Sequence, residues 1–113
     1  MGPKGFLKSL DFKKLYISSD SQEPLGGIIG NIEGGTVENC NIDMGVIINN
    51  GPAGMIAGQS SQGIIRNCSA SGMVVGTSTD GNMESENFAL VGSNQNTLFD
   101  GNTQSITFSK IDN

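Results

Sequence analysis

The chain has 113 residues, 17 of them Gly, with no His, no Trp, one Tyr and two Cys, which suits one domain with a single core. Only 35% of residues are apolar and 5% aromatic; with Gly, Asn, Ser and Thr abundant, this composition argues against a helical bundle. Six Lys/Arg against eleven Asp/Glu leave a net charge of −5, too few cations for a nucleic-acid binder, whose affinity comes from neutralised phosphates.

In chain order, the first predicted element is a strand pair at Leu7-Lys8-Ser9-Leu10-Asp11-Phe12, two residues after Gly5. The same apolar–x–small polar–apolar–x–apolar pattern returns as Val37-Glu38-Asn39-Cys40-Asn41-Ile42 after Gly35. It returns again as Ile65-Arg66-Asn67-Cys68-Ser69-Ala70 after Gly63. Aligning Ile28 with Ile56 exposes a period of 28: Gly26 falls on Gly54, Gly30 on Gly58, Gly35 on Gly63, Asn39 on Asn67 and Cys40 on Cys68. The apolar pair Val46-Ile47 falls on Val74-Val75. A degraded fourth copy starts at Val91-Gly92, runs through Leu98-Phe99-Asp100-Gly101-Asn102 and closes with Ile106 and Phe108. The chain thus divides, as one repeat domain over 1–113, into a half unit 5–25, a unit 26–53, a unit 54–87 with an acidic insertion at 76–87, and a degenerate capping unit 88–113.

The x positions, Lys8, Asp11, Glu38, Asn41, Arg66 and Ser69, are all polar, so each unit has one wet and one dry face. Alternation with β-branched residues predicts short strands. The three-residue step from Val37 to Cys40 breaks strict alternation, and a left-handed corner at Asn39 accounts for it. Gly34-Gly35 and Gly63 are further turn positions. Short strands with Gly and Asn corners predict an all-β fold, a short β-solenoid of the parallel β-helix kind with about four rungs of 28 residues. The competing fold is an antiparallel sandwich of hairpins.

Gly26-Gly27-Ile28-Ile29-Gly30-Asn31 and Ala53-Gly54-Met55-Ile56-Ala57-Gly58-Gln59, each followed by Gly-(Thr/Ile)-(Val/Ile)-x-Asn-Cys, resemble GLUG-motif repeats. The likeness covers residues 26–75 well, 5–17 as a half unit and 88–108 poorly. That family's repeats occur in large bacterial surface proteins, adhesin-like proteins and non-catalytic regions of some immunoglobulin A proteases among them. The resemblance implies a structural or adhesive module without catalytic residues of its own.

The candidate chemistry is sparse. Gly30, Gly35, Asn39, Cys40, Gly58, Gly63, Asn67 and Cys68 read as the structural residues of the repeat. Stacked rungs set Cys40 and Cys68 about 4.8 Å apart, either as a buried thiol ladder or as a disulfide, whose Cα range includes that spacing. Without His, the thiols lack the usual activating base and make a poor zinc site. Asp80, Asn82, Glu84 and Glu86 alternate as calcium ligands do, yet Ser85 and Val91 stand where an EF-hand needs Gly and an acid. A solvated acidic excursion is the plainer reading. For glycoside hydrolysis the wet-face acids are Asp11, Glu38 and Asp43, but the next unit substitutes Arg66 and Ser71, so no facing carboxylate pair is built in. Asn67-Cys68-Ser69 forms a sequon that is also the repeat's own corner.

The expected function is therefore a module that binds a protein or glycan, or acts as a spacer, with no cofactor and no enzyme activity. The alternative is a complete small acidic inhibitor of a host macromolecule, of phage or mobile-element type. No apolar run is long enough to cross a bilayer, and lysines at 8, 13 and 14 interrupt any leader-like core. A fragment fits the cell surface or secretion, and a complete chain the cytoplasm. Leu7, Leu10 and Phe12 have no full unit before them, so that solenoid end is the expected place for a cap or for self-association.

Overall fold

The computed structural model describes residues 5–81 and 85–111. Among these there are fourteen strands and no helix, and every strand pairing is parallel. The first turn of the coil runs through β1 (Phe6–Lys8), β2 (Asp11–Lys13), β3 (Tyr16–Ser18), β4 (Leu25–Gly26) and β5 (Ile29–Glu33). The second uses β6 (Thr36–Glu38), β7 (Asn41–Ile48), β8 (Ala53–Gly54) and β9 (Ala57–Ser61). The third uses β10 (Ile64–Arg66), β11 (Ser69–Gly76) and β12 (Val91–Gln95), and β13 (Leu98–Asp100) and β14 (Thr103–Lys110) begin a fourth.

Stacking these turns gives a first sheet in the order β1-β6-β10-β13 and a second in the order β14-β11-β7-β2, with β3 also on β7. The third sheet is β12-β9-β5, and β4 and β8 form a small fourth. The fold is the expected all-β solenoid. It closes three turns, and the fourth rung keeps only its first two strands.

Left-handed corners keep the strands short. Ser9 (φ 62°), Asn39 (56°), Asn67 (52°) and Gly101 (66°) hold the same corner in four successive turns. Gly34 (77°), Gln62 (55°) and Asn96 (58°) hold another. Asn and Gly tolerate this region best, which is why the three-residue step in the pattern is legible. The repeated Gly26, Gly30, Gly54, Gly58 and Gly63 do not occupy left-handed corners.

Inside, equivalent side chains stack. The ladder Leu7–Val37–Ile65–Phe99 lines the first sheet and Ile17–Ile47–Val74–Phe108 the second. The middle members Val37, Ile65, Ile47 and Val74 are fully buried, whereas the end members are only half-buried. Interdigitated aliphatics in a narrow bore give a dry interior with few rings.

Two register details differ from the sequence alignment. Val46 stacks on Met73 and Ile47 on Val74, one residue away from the expected Val74-Val75 match. An extra residue in β7 causes this: Met44 turns left-handed (φ 60°), and the Ser71 hydroxyl spans the bulge. That hydroxyl accepts the Met44 N–H at 3.2 Å and donates to Asp43 at 3.2 Å. The insertion also starts later than residue 76. Gly76 still belongs to β11, Ser78 still pairs with Pro52, and the coil resumes where Met55 N–H reaches the Ala89 carbonyl at 2.7 Å.

Candidate binding surface

The third sheet presents its outer face as a polar groove of about 390 Å³, lined by Asn31, Glu33, Gln59, Ser61, Gln62 and Gln95. Strand pairing sets Asn31 beside Gln59, and Glu33 beside Ser61 beside Gln95. Alternation sends these residues outward while Ile32 and Ser60, between them, are fully buried. Asn31 Nδ2 donates to Glu33 Oε1 at 3.1 Å. The side-chain amides of Gln59, Gln62 and Gln95 make no hydrogen bond to described residues, and all three are exposed. The surface therefore offers donors and acceptors at strand spacing, about 4.8 Å per turn.

The sequence-predicted wet-face residues separate onto two other sheets. On the first, Lys8, Glu38, Arg66 and Asp100 form one ladder of alternating charge, with Arg66 and Glu38 paired at 3.4 Å. On the second, Asn41 Nδ2 donates to Asp11 at 2.7 Å, and Ser69 Oγ donates to Asn41. Asp11, Glu38 and Asp43 are thus each engaged by a polar side chain of the adjacent turn. Beside this ladder, Met44, Gly45, Val46, Gly72, Met73 and Thr107 line a shallow apolar depression of about 300 Å³.

Cys40 and Cys68 are both free thiols and both buried. Cys40 Sγ donates to the Glu38 carbonyl at 3.4 Å and Cys68 Sγ to the Arg66 carbonyl at 3.3 Å. Burial above all pushes the Cys68 thiol up to about 11, so it stays protonated and inert at neutral pH.

Two buried asparagines escaped sequence reasoning. Asn102 takes the place of Cys68 in the next turn, with its amide joined to Cys68 N–H, the Ile65 carbonyl and Asn87. Asn49 donates to the carbonyls of Glu23 at 2.7 Å and Pro52 at 3.0 Å, tying the first turn to the second. In the sequence both resemble ordinary turn residues; the one available signal was that Asn102 aligns with a cysteine.

Of the calcium candidates, Asn82 and Glu84 lie outside the described residues. Asp80 anchors the excursion through its backbone, N–H to the Val91 carbonyl and carbonyl to the Ala89 N–H, and Glu86 is exposed. Among the described residues no group of three or more His, Cys, Asp and Glu side chains is placed to share a metal ion, and no helix is long and apolar enough to cross a membrane.

No protein-family model, no curated protein and no solved structure matches the chain.

Proposed function

We propose that the chain is a non-catalytic β-solenoid module for adhesion that holds a neutral glycan along the outer face of the third sheet. The observation that carries this reading is the row of uncommitted amides, Gln59, Gln62 and Gln95, beside Asn31, Glu33 and Ser61 in one groove. A sugar hydroxyl both donates and accepts, and a primary amide is its planar complement. Rigid strand stacking fixes the spacing of these amides before any ligand arrives, which lowers the ordering cost of binding.

Charge selects among glycans. Glu33 lies in the groove and the chain carries a net −5, so carboxylated or sulfated sugars are repelled. The likeness of residues 26–75 to GLUG-motif repeats supports a bacterial surface protein as the setting. There, several weak sites on one polymer add through avidity.

A glycan array followed by titration of amide side-chain NMR signals tests the reading. Neutral oligosaccharides are expected to shift the Gln59 and Gln95 amides, and a Gln59→Ala/Gln95→Ala double variant should lose the response while keeping its melting temperature. Absence of neutral-glycan binding, or binding indifferent to the double variant, overturns it.

A further inference from the structure

Among the described residues, β1 and β13 are the terminal strands of the first sheet and have no strand on their outer edges. Its outer face carries two ladders, Phe6–Thr36–Ile64–Leu98 and Lys8–Glu38–Arg66–Asp100. In the first ladder the end members are large and exposed, Phe6 by 51% and Leu98 by 61%, while Thr36 and Ile64 between them are half-buried. In the second, the charges alternate so that one end finishes on a cation and the other on an anion. The inner ladders repeat this: Leu7 and Phe99 at the ends are half-buried, Val37 and Ile65 between them fully buried. The ends thus differ from the middle by one missing neighbour, and the two ends complement each other.

Among the described residues of the excursion between Ser78 and Ala89, none pairs with β1 or β13. Those residues pack against β14 and the corner before it, through Asn87 on Asn102, Ser85 on Gln104 and the edge-to-face rings of Phe88 and Phe108, 6.4 Å apart. Both β13 and β14 still end their sheets.

We propose that copies of this chain stack head to tail, β13 of one copy pairing in parallel with β1 of the next. That junction sets Leu98 beside Phe6, Phe99 beside Leu7 and Asp100 beside Lys8 of the next copy, and each ladder continues with its chemistry unbroken. Pairing through like ends would be antiparallel about a two-fold axis, which sets Lys8 opposite Phe6 or Asp100 opposite Leu98 and continues neither ladder. A head-to-tail contact uses two different surfaces and does not close, so the product is an open filament. Unpaired strand edges supply the backbone hydrogen bonds.

The inference goes beyond the glycan reading and is tested without a ligand. Sedimentation velocity and electron microscopy over a concentration series are expected to show mass rising above the 11.7 kDa monomer, and less so at high salt. Lys8→Glu and Asp100→Lys each put like charges at the junction and should weaken association roughly tenfold. Mixing the two variants restores assembly, because every junction in the mixture again joins opposite charges. Loss of fold cannot produce that restoration, and circular dichroism of each variant checks the fold directly. A chain that stays monomeric throughout overturns the proposal. So does a species that stops at two copies, which signals like-end pairing, or a mixture that assembles no better than its components.

Discussion

Asn102 stands, one turn further on, where Cys68 stands, and the two are joined: Asn102 Oδ1 accepts the Cys68 N–H at 3.0 Å. Its Nδ2 donates to the Ile65 carbonyl at 2.9 Å and to Asn87 Oδ1 at 3.1 Å. The thiol ladder therefore ends on a buried amide that closes off the backbone groups of the turn before it. With 1% of its surface exposed, this amide has no water to replace those bonds.

Asn102→Ala strands the buried Cys68 N–H and removes a buried hydrogen bond to the Ile65 carbonyl. The expected cost is about 2–4 kcal/mol, read as a shift of the urea midpoint at constant slope. Asn102→Leu, which copies the apolar Leu10 of the first turn, should rescue little, because it restores packing without the hydrogen bonds. A loss under about 1 kcal/mol in both would show that the amide is incidental.

Equivalent glycines should respond differently. A Cβ on Gly58 would meet the Leu25 nitrogen and the Pro24 carbonyl carbon at 2.6 Å, whereas a Cβ on Gly30 meets nothing within 4 Å. Gly58→Ala is expected to cost roughly 2–4 kcal/mol through backbone displacement. Gly30→Ala should be neutral or stabilise by about 0.5 kcal/mol, since alanine has less unfolded-state freedom to lose. Thermal melts of the two variants decide, and equal effects would refute the account.

The left-handed corner at Asn39 and Asn67, with φ of 56° and 52°, predicts a substitution order. Asn67→Gly should be near neutral and Asn67→Val should lose about 1–3 kcal/mol, because a β-branched residue is strained there. Denaturant unfolding measures both. A tolerated valine would mean that the corner is not conformationally demanding.

The buried thiol makes stability depend on alkaline pH. Burial raises Cys68 to about 11 from its ordinary value of 9.0, so above that lower value the unfolded chain loses a proton that the folded chain keeps. Stability from this group is complete below about pH 9 and declines through the folded value, by roughly 2 kcal/mol at pH 11. Cys68→Ala should flatten that limb of the profile. Iodoacetamide should label Cys68 at a rate that tracks global unfolding, and fast labelling of the native chain would contradict its burial.

Much of the fold was readable because a solenoid repeats its chemistry at fixed intervals. The strands, the Asn39 and Asn67 corner, the Cys40–Cys68 stack and the late fourth copy all follow from matching positions. What escaped were deviations within a turn. Met44 adds one residue to β7 and slips Val46 onto Met73, a change that residue similarity between neighbouring Val and Ile positions hides. The groove escaped for another reason: Gln59, Gln62 and Gln95 have no pattern in the chain and become neighbours only when β9 and β12 pair.

Alone, the sequence determined the period, the strand chemistry and the absence of histidine. Each is a local or periodic property, and parallel stacking turns a period directly into a ladder. Tertiary structure decided what each repeated residue meets. Gly30 and Gly58 share one repeat position, yet one faces open space and the other the backbone of Pro24 and Leu25. The reason is geometric. A ladder has ends, so identical positions have a neighbour on each side in the middle turns and on one side at the edges. Hence Val37 and Ile65 are dry, Leu7 and Phe99 are half-wet, and Asn102 can end what the cysteines began.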